Sequence, residues 1–158
     1  MKLPFFTLFS IVLLSGCAAI QQKKWLGAHR ASLDSTVASN KSEEEKMDDL
    51  MANYVQLMQE GLRFTNPKKG VKYITKYQHQ NSAAIESIVS GSQNWVTNLN
   101  AMQKIGLAAR IAGKPWLKDF VLLAPKFKRR YEQYKFILEM TGKVSRGFGN
   151  IGGKVLGL

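Results

Sequence analysis

Four lysines, Lys68, Lys69, Lys72 and Lys76, crowd a stretch that opens with Asn66-Pro67. Asn-Pro reads as a helix cap followed by proline at the first helical position, where the missing N–H does no harm. The lysines then occupy the first turns, where positive charge opposes the helix dipole by about 0.3–1 kcal/mol each near the end. A locally unfavourable choice with no visible compensation marks a place to look for function. Free amides at a helix start, joined by lysines, suit a phosphate or a carboxylate, so this segment is the anion-binding candidate. The competing reading is a solvated face whose long side chains are screened by salt.

Other groups with chemical potential do not assemble into a reaction. His29 and His79 are far apart in the chain, and neither belongs to an H-E-x-x-H or similar metal spacing. Cys17 is the only cysteine, which leaves no disulfide, thiol pair or thiolate cluster to build. Glu43–Glu45, Asp48 and Asp49 sit where a helix begins, and capping explains them. Gly147-Phe148-Gly149-Asn150-Ile151-Gly152 matches G-x-G-x-x-G formally, but that fingerprint needs a preceding strand, and none is expected. Lys126, Arg129 and Arg130 form a basic cluster among aromatics. Helical spacing turns those aromatics inward and leaves alternating charges outward, so nucleic acid is a poor candidate. No metal site, no cofactor and no enzymatic activity are expected.

The first seventeen residues carry a more specific signal. Lys2 precedes an apolar run from Leu3 to Leu14, which closes in Leu14-Ser15-Gly16-Cys17. A charged start, a short apolar run and small residues before a cut site are the marks of a secretory signal, and the run is well short of the roughly 20 residues that span a bilayer. Leu-Ser-Gly-Cys at this distance from Met1 resembles the lipobox of bacterial lipoproteins. The resemblance covers residues 1–18 only. It implies cleavage between Gly16 and Cys17 and a covalent lipid on Cys17, with two or more acyl chains giving stable anchorage. It also implies a cell-envelope location. With Ala18 rather than Asp after the cysteine, that means the outer membrane facing the periplasm if the host has two membranes.

These features must be positioned by the rest of a 158-residue chain of net charge +12 and 45% hydrophobic residues. That length fits one domain plus flanking segments, and the apolar content suffices for a core. Lys2 alone of the 23 Lys and Arg precedes Cys17, and all 11 acids follow it, so the mature part is strongly basic. Such a balance favours acidic partners or is simply a solubilising surface.

Residues 17–41 read as a lipidated, polar tether, partly helical, with Trp25, Leu26, His29, Leu33 and Val37 at loose three-to-four spacing. Ser42 with Glu45 forms a capping box, and Met47, Leu50, Met51, Tyr54, Val55, Met58 and Leu62 follow at helical spacing. A second helix carries Val71, Ile74, Tyr77, Ile85, Ile88 and Val89. Ser90-Gly91-Ser92 offers a break there, although one Gly costs a helix only about 1 kcal/mol and leaves continuation open. A third helix carries Trp95 to about Ala112, and a fourth starts at Pro115 with a kink or division expected at Pro125. No segment alternates like a strand. The expected fold is all-α, an antiparallel bundle of about four helices over residues 42–141.

Residues 142–158 form a Gly-rich basic tail in which Phe148, Gly149, Ile151, Gly153, Val155 and Gly157 are contact candidates. Small residues four apart let helices approach closely, and the same composition suits a flexible end. Together these features lead to a lipid-anchored helical adaptor or assembly protein that binds an envelope protein and does no chemistry. The alternatives are a membrane-active protein that binds anionic lipid and a protein that binds anionic wall polymers.

Overall fold

The structure, a computed structural model, describes the backbone of residues 5–132 and the side chains from Ile20 to Glu132. Five helices fill these residues: α1 (Phe5–Ala38), α2 (Glu43–Arg63), α3 (Pro67–Thr97), α4 (Ala101–Ala112) and α5 (Pro115–Tyr131). The chain is an all-α bundle, as its sequence pattern indicates.

Local chemistry sets the helix starts. The Ser42 hydroxyl accepts from the Glu45 amide at 3.3 Å, and the Glu45 carboxylate accepts from the Ser42 amide at 2.8 Å, which starts α2 with two orphan donors satisfied. The Asn66 side chain accepts from the Lys68 amide at 2.9 Å ahead of Pro67, which starts α3. The apolar stripe of α2 is buried as its spacing requires, from Met47 through Met58. It packs with Tyr73, Ile74, Tyr77, Ile85 and Ile88 of α3 and with Trp116, Phe127 and Tyr131 of α5.

Side-chain contacts fix the helix directions. Thr36 meets Asp49 and His29 meets Glu60, so α1 and α2 run antiparallel. Ser92 donates to the Glu43 carbonyl and Tyr73 to Glu60, so α2 and α3 run antiparallel as well. The Trp116 indole donates to Asp48 at 2.9 Å and the Tyr131 hydroxyl to the Gly61 carbonyl at 2.6 Å, so α5 runs alongside α2 in the same direction. The four long helices therefore alternate in direction. Short α4 sits at one end and connects the finish of α3 to the start of α5. The bundle has a turn end, holding residues 64–66, the start of α3 and the finish of α5, and an α4 end, holding the 39–42 link.

Three boundaries differ from the sequence pattern. The segment expected as a tether is helical to Ala38, and its stripe of His29, Leu33 and Thr36 is buried against α2 and α3. Two of those three residues are polar, which hides the stripe from an apolar count. Ser90-Gly91-Ser92 is no break, because α3 continues to Thr97. Ser92 is buried, and a Cβ at Gly91 would lie 2.5 Å from a Glu43 carboxylate oxygen, so these small residues admit the first turn of α2. The helix ends instead at Asn98, and Asn100 with Gln103 forms a second capping box, each side chain bonding the other's amide at 2.9 Å. Pro125 lies inside α5 without dividing it. The carbonyl it leaves unpaired belongs to Val121, an exposed residue, where water is available as a donor. The fourth expected helix beyond Glu132 lies outside the described residues, as do the whole tail and Phe148, Gly149, Ile151, Gly153, Val155 and Gly157.

Candidate functional site

Inside the bundle, three helices meet at a polar cluster. His29 of α1 places Nδ1 2.9 Å from the Asn53 side-chain oxygen and Nε2 2.7 Å from a Glu60 carboxylate oxygen, both on α2. The Asn53 side-chain amide donates to the His29 carbonyl at 3.2 Å, which orients its oxygen toward the ring. With the Asn53 oxygen facing it, Nδ1 is placed to donate there, while Nε2 lies within hydrogen-bond reach of Glu60. From α3, Tyr73 donates to the same Glu60 oxygen and Tyr77 to Asn53 at 3.3 Å. Burial pushes both tyrosine hydroxyls far above their usual range, with Glu60 adding to the effect on Tyr73, so both remain donors.

A groove of about 390 Å³ between α1 and α2 opens beside this cluster, lined by Trp25, Ser32, Thr36, Asp49 and Gln56 among others. Histidine, carboxylate and tyrosine are the components of acid–base chemistry. Here both ring nitrogens are committed to protein acceptors, and the arrangement joins α1 to α2 and α3. The sequence signal for it is the three-to-four spacing of Trp25, His29, Leu33 and Thr36, in which the histidine is a stripe member rather than an isolated residue of a tether.

The bundle's two ends differ in charge. At the α4 end, acids and bases pair. Arg110 forks onto Glu44 with its closest contact at 2.7 Å, Lys41 meets Asp49 at 2.5 Å, Lys46 meets Glu43 at 3.2 Å and Lys114 meets Asp48. Arg110, ahead of Lys114, holds the Glu44 carboxyl below its usual range, against the opposing pull of burial.

At the turn end, Lys68, Lys69 and Lys72 are exposed on the first turns of α3, and Lys76 is exposed one turn further along. The structure brings other cations to them. Lys23 and Lys24 flank Trp25, whose ring meets Tyr73 edge-on at 6.3 Å. Arg63 closes α2, and Arg130 of α5 donates to the carbonyls of Phe64 and Thr65. Lys126, Lys128 and Arg129 are exposed beside it. The carboxylates described here are Glu60, buried in the histidine cluster, and Glu132. None of these exposed cations forms an ion pair among the described residues. Sequence spacing identifies the four lysines. It does not reveal that α1, α2 and α5 deliver basic residues to the same end.

Gly16 and Cys17 lie in the N-terminal half of α1. Because α1 runs toward the α4 end, this half leads out from the turn end. Gln21, Gln22 and Trp25 line a small groove there with Arg63 and Phe64.

A third feature is at the α4 end. Helix α4 buries Leu107 alone and leaves Met102 and Ile105 76% and 62% exposed. Trp95, Leu99, Met102, Gln103, Gly106 and Arg110 line an open groove of about 470 Å³ between the finish of α3 and α4.

No protein-family model, curated protein or solved structure matches the chain.

Proposed function

We propose that this protein is a lipid-anchored helical adaptor of the bacterial cell envelope, which binds a protein partner and carries out no chemistry itself. The lipobox-like Leu14-Ser15-Gly16-Cys17 supports the anchor. If cleavage precedes Cys17, the mature helix starts there, and the first core-packed residues, Trp25 and Leu26, follow about 12 Å along it at 1.5 Å per residue. A bundle held that closely is a rigid spacer rather than a domain on a long leash.

The observation that carries the adaptor reading is the placement of the apolar groove of α4 at the end opposite Cys17. Exposed Met and Ile on a helix with one buried residue form a surface suited to another apolar helix or loop. In a host with two membranes the partner would be an outer-membrane or periplasmic protein.

A photo-crosslinking amino acid at Met102 in living cells tests this reading. A discrete adduct is expected, lost with Ile105→Asp and absent when the crosslinker is moved to Lys118 on α5. Equal, diffuse labelling from both positions would contradict it.

A further inference from the structure

The turn end gathers exposed cations that form no ion pair among the described residues, and it is the end from which Cys17 leads away. We infer that this end is a membrane-facing surface that takes the phosphate groups of anionic phospholipids, so that the bundle stands upright on the bilayer. The inference rests on the anchor reading above and adds the orientation and the lipid class.

Four separate elements contribute to the surface. Lys23 and Lys24 come from α1, Arg63 from α2, the exposed Lys68, Lys69 and Lys72 from α3, and Arg129 from α5. At the α4 end Lys41, Lys46, Arg110 and Lys114 are paired with acids, and Glu43, Glu44, Glu45, Asp48 and Asp49 gather there, so the excess positive charge of the described domain lies where the lipid would be. Lys68, Lys69 and Lys72 oppose the dipole of α3, and a negatively charged bilayer surface within a Debye length of about 8 Å removes that penalty. Half-buried Trp25 and Phe64 lie among these cations, and Phe64 packs on Tyr73 with ring centres 5.3 Å apart. Aromatic side chains of this kind favour the headgroup layer. An anchor on Cys17 also confines the surface near lipid and raises its effective concentration there. A dissolved wall polymer would gain nothing from that confinement.

The test uses the full chain, produced in bacterial membranes, extracted in mild detergent and returned to vesicles. A fluorescent amino acid replaces Thr65 at the turn end or, as control, Asn98 at the α4 end. Co-flotation with phosphatidylcholine vesicles at high salt reads the anchor alone. Adding phosphatidylglycerol at low salt is expected to raise quenching of the Thr65 probe by a headgroup nitroxide severalfold, with the Asn98 probe unchanged.

Each cation near an anionic surface is worth roughly a fivefold gain in binding. The triple change Lys68→Glu, Lys69→Glu and Lys72→Glu should therefore abolish the rise while leaving helical circular dichroism and flotation intact. Equal quenching in neutral and anionic vesicles would overturn the inference, as would a Thr65 probe that responds to dissolved polyphosphate but not to vesicles. Failure to float with neutral vesicles would defeat the anchor reading instead, and the response of the Thr65 probe to anionic vesicles would still decide the orientation.

Discussion

The hydroxyl of Tyr131 donates to the carbonyl of Gly61 at 2.6 Å. Gly61 lies in the last turn of α2, where carbonyls have no partner within their own helix, so α5 caps α2 from the side. Gly70 completes the contact. A Cβ there would fall on the Tyr131 hydroxyl and 3.1 Å from the Gly61 oxygen. The absence of a side chain at position 70 is what allows α3 and α5 to meet over α2.

Tyr131→Phe should therefore cost about 1–3 kcal/mol, because the Gly61 carbonyl loses its buried donor. Gly70→Ala should cost more than a surface Gly→Ala change, by displacing Tyr131. The two effects should be non-additive, since both act through the same hydroxyl. A double-mutant cycle measured by urea unfolding checks this, and strict additivity would contradict it.

His29→Leu should be among the most destabilising single changes in the bundle. It leaves the Glu60 carboxylate buried with Tyr73 as its only remaining described donor, and breaking a buried pair in this way typically costs about 3–5 kcal/mol. Changing both partners, His29→Leu with Glu60→Met, should recover a large part of the loss. Midpoints of chemical denaturation for the single and the double variant, set against the unchanged protein, measure both effects.

Acid should weaken the junction between α4 and α2. The Arg110 guanidinium holds Glu44 below the ordinary value of 4.5 in the fold. A carboxyl depressed in the folded state contributes stability that is fully present above its unfolded pKa and is lost as pH falls through its folded pKa. Stability should accordingly decline from about pH 4.5 downward, and Arg110→Gln should flatten that part of the curve. Thermal unfolding of the two proteins between pH 3 and pH 7, in steps of about one unit, reads the difference.

Much of this fold is legible in the sequence. Ser42 with Glu45 and Asn66 with Pro67 announce α2 and α3, because capping is local chemistry and the buried stripes behind both caps are apolar. Helix α1 is harder to read, since two of its three buried residues among those described, His29 and Thr36, are polar and make sense only opposite Asn53, Glu60 and Asp49. Asn100 and Gln103 cap α4 as effectively as Ser and Glu would, but in residues less readily recognised as a box. Gly91 suggests a break, yet it serves a close approach to Glu43. The basic turn end is the clearest limit of sequence reading. Lys23, Lys68 and Arg129 are far apart in the chain, and only the alternation of long helices gathers them.

The measurement that bears most directly on the whole account is the intact mass of the native protein purified from its membrane. A chain that begins at Cys17 and carries diacylglycerol and fatty acyl mass is the expected result, with both features lost in Cys17→Ala. A chain that retains Met1, or one that begins elsewhere with an unmodified Cys17, would contradict the lipid anchor and remove the basis for an envelope adaptor.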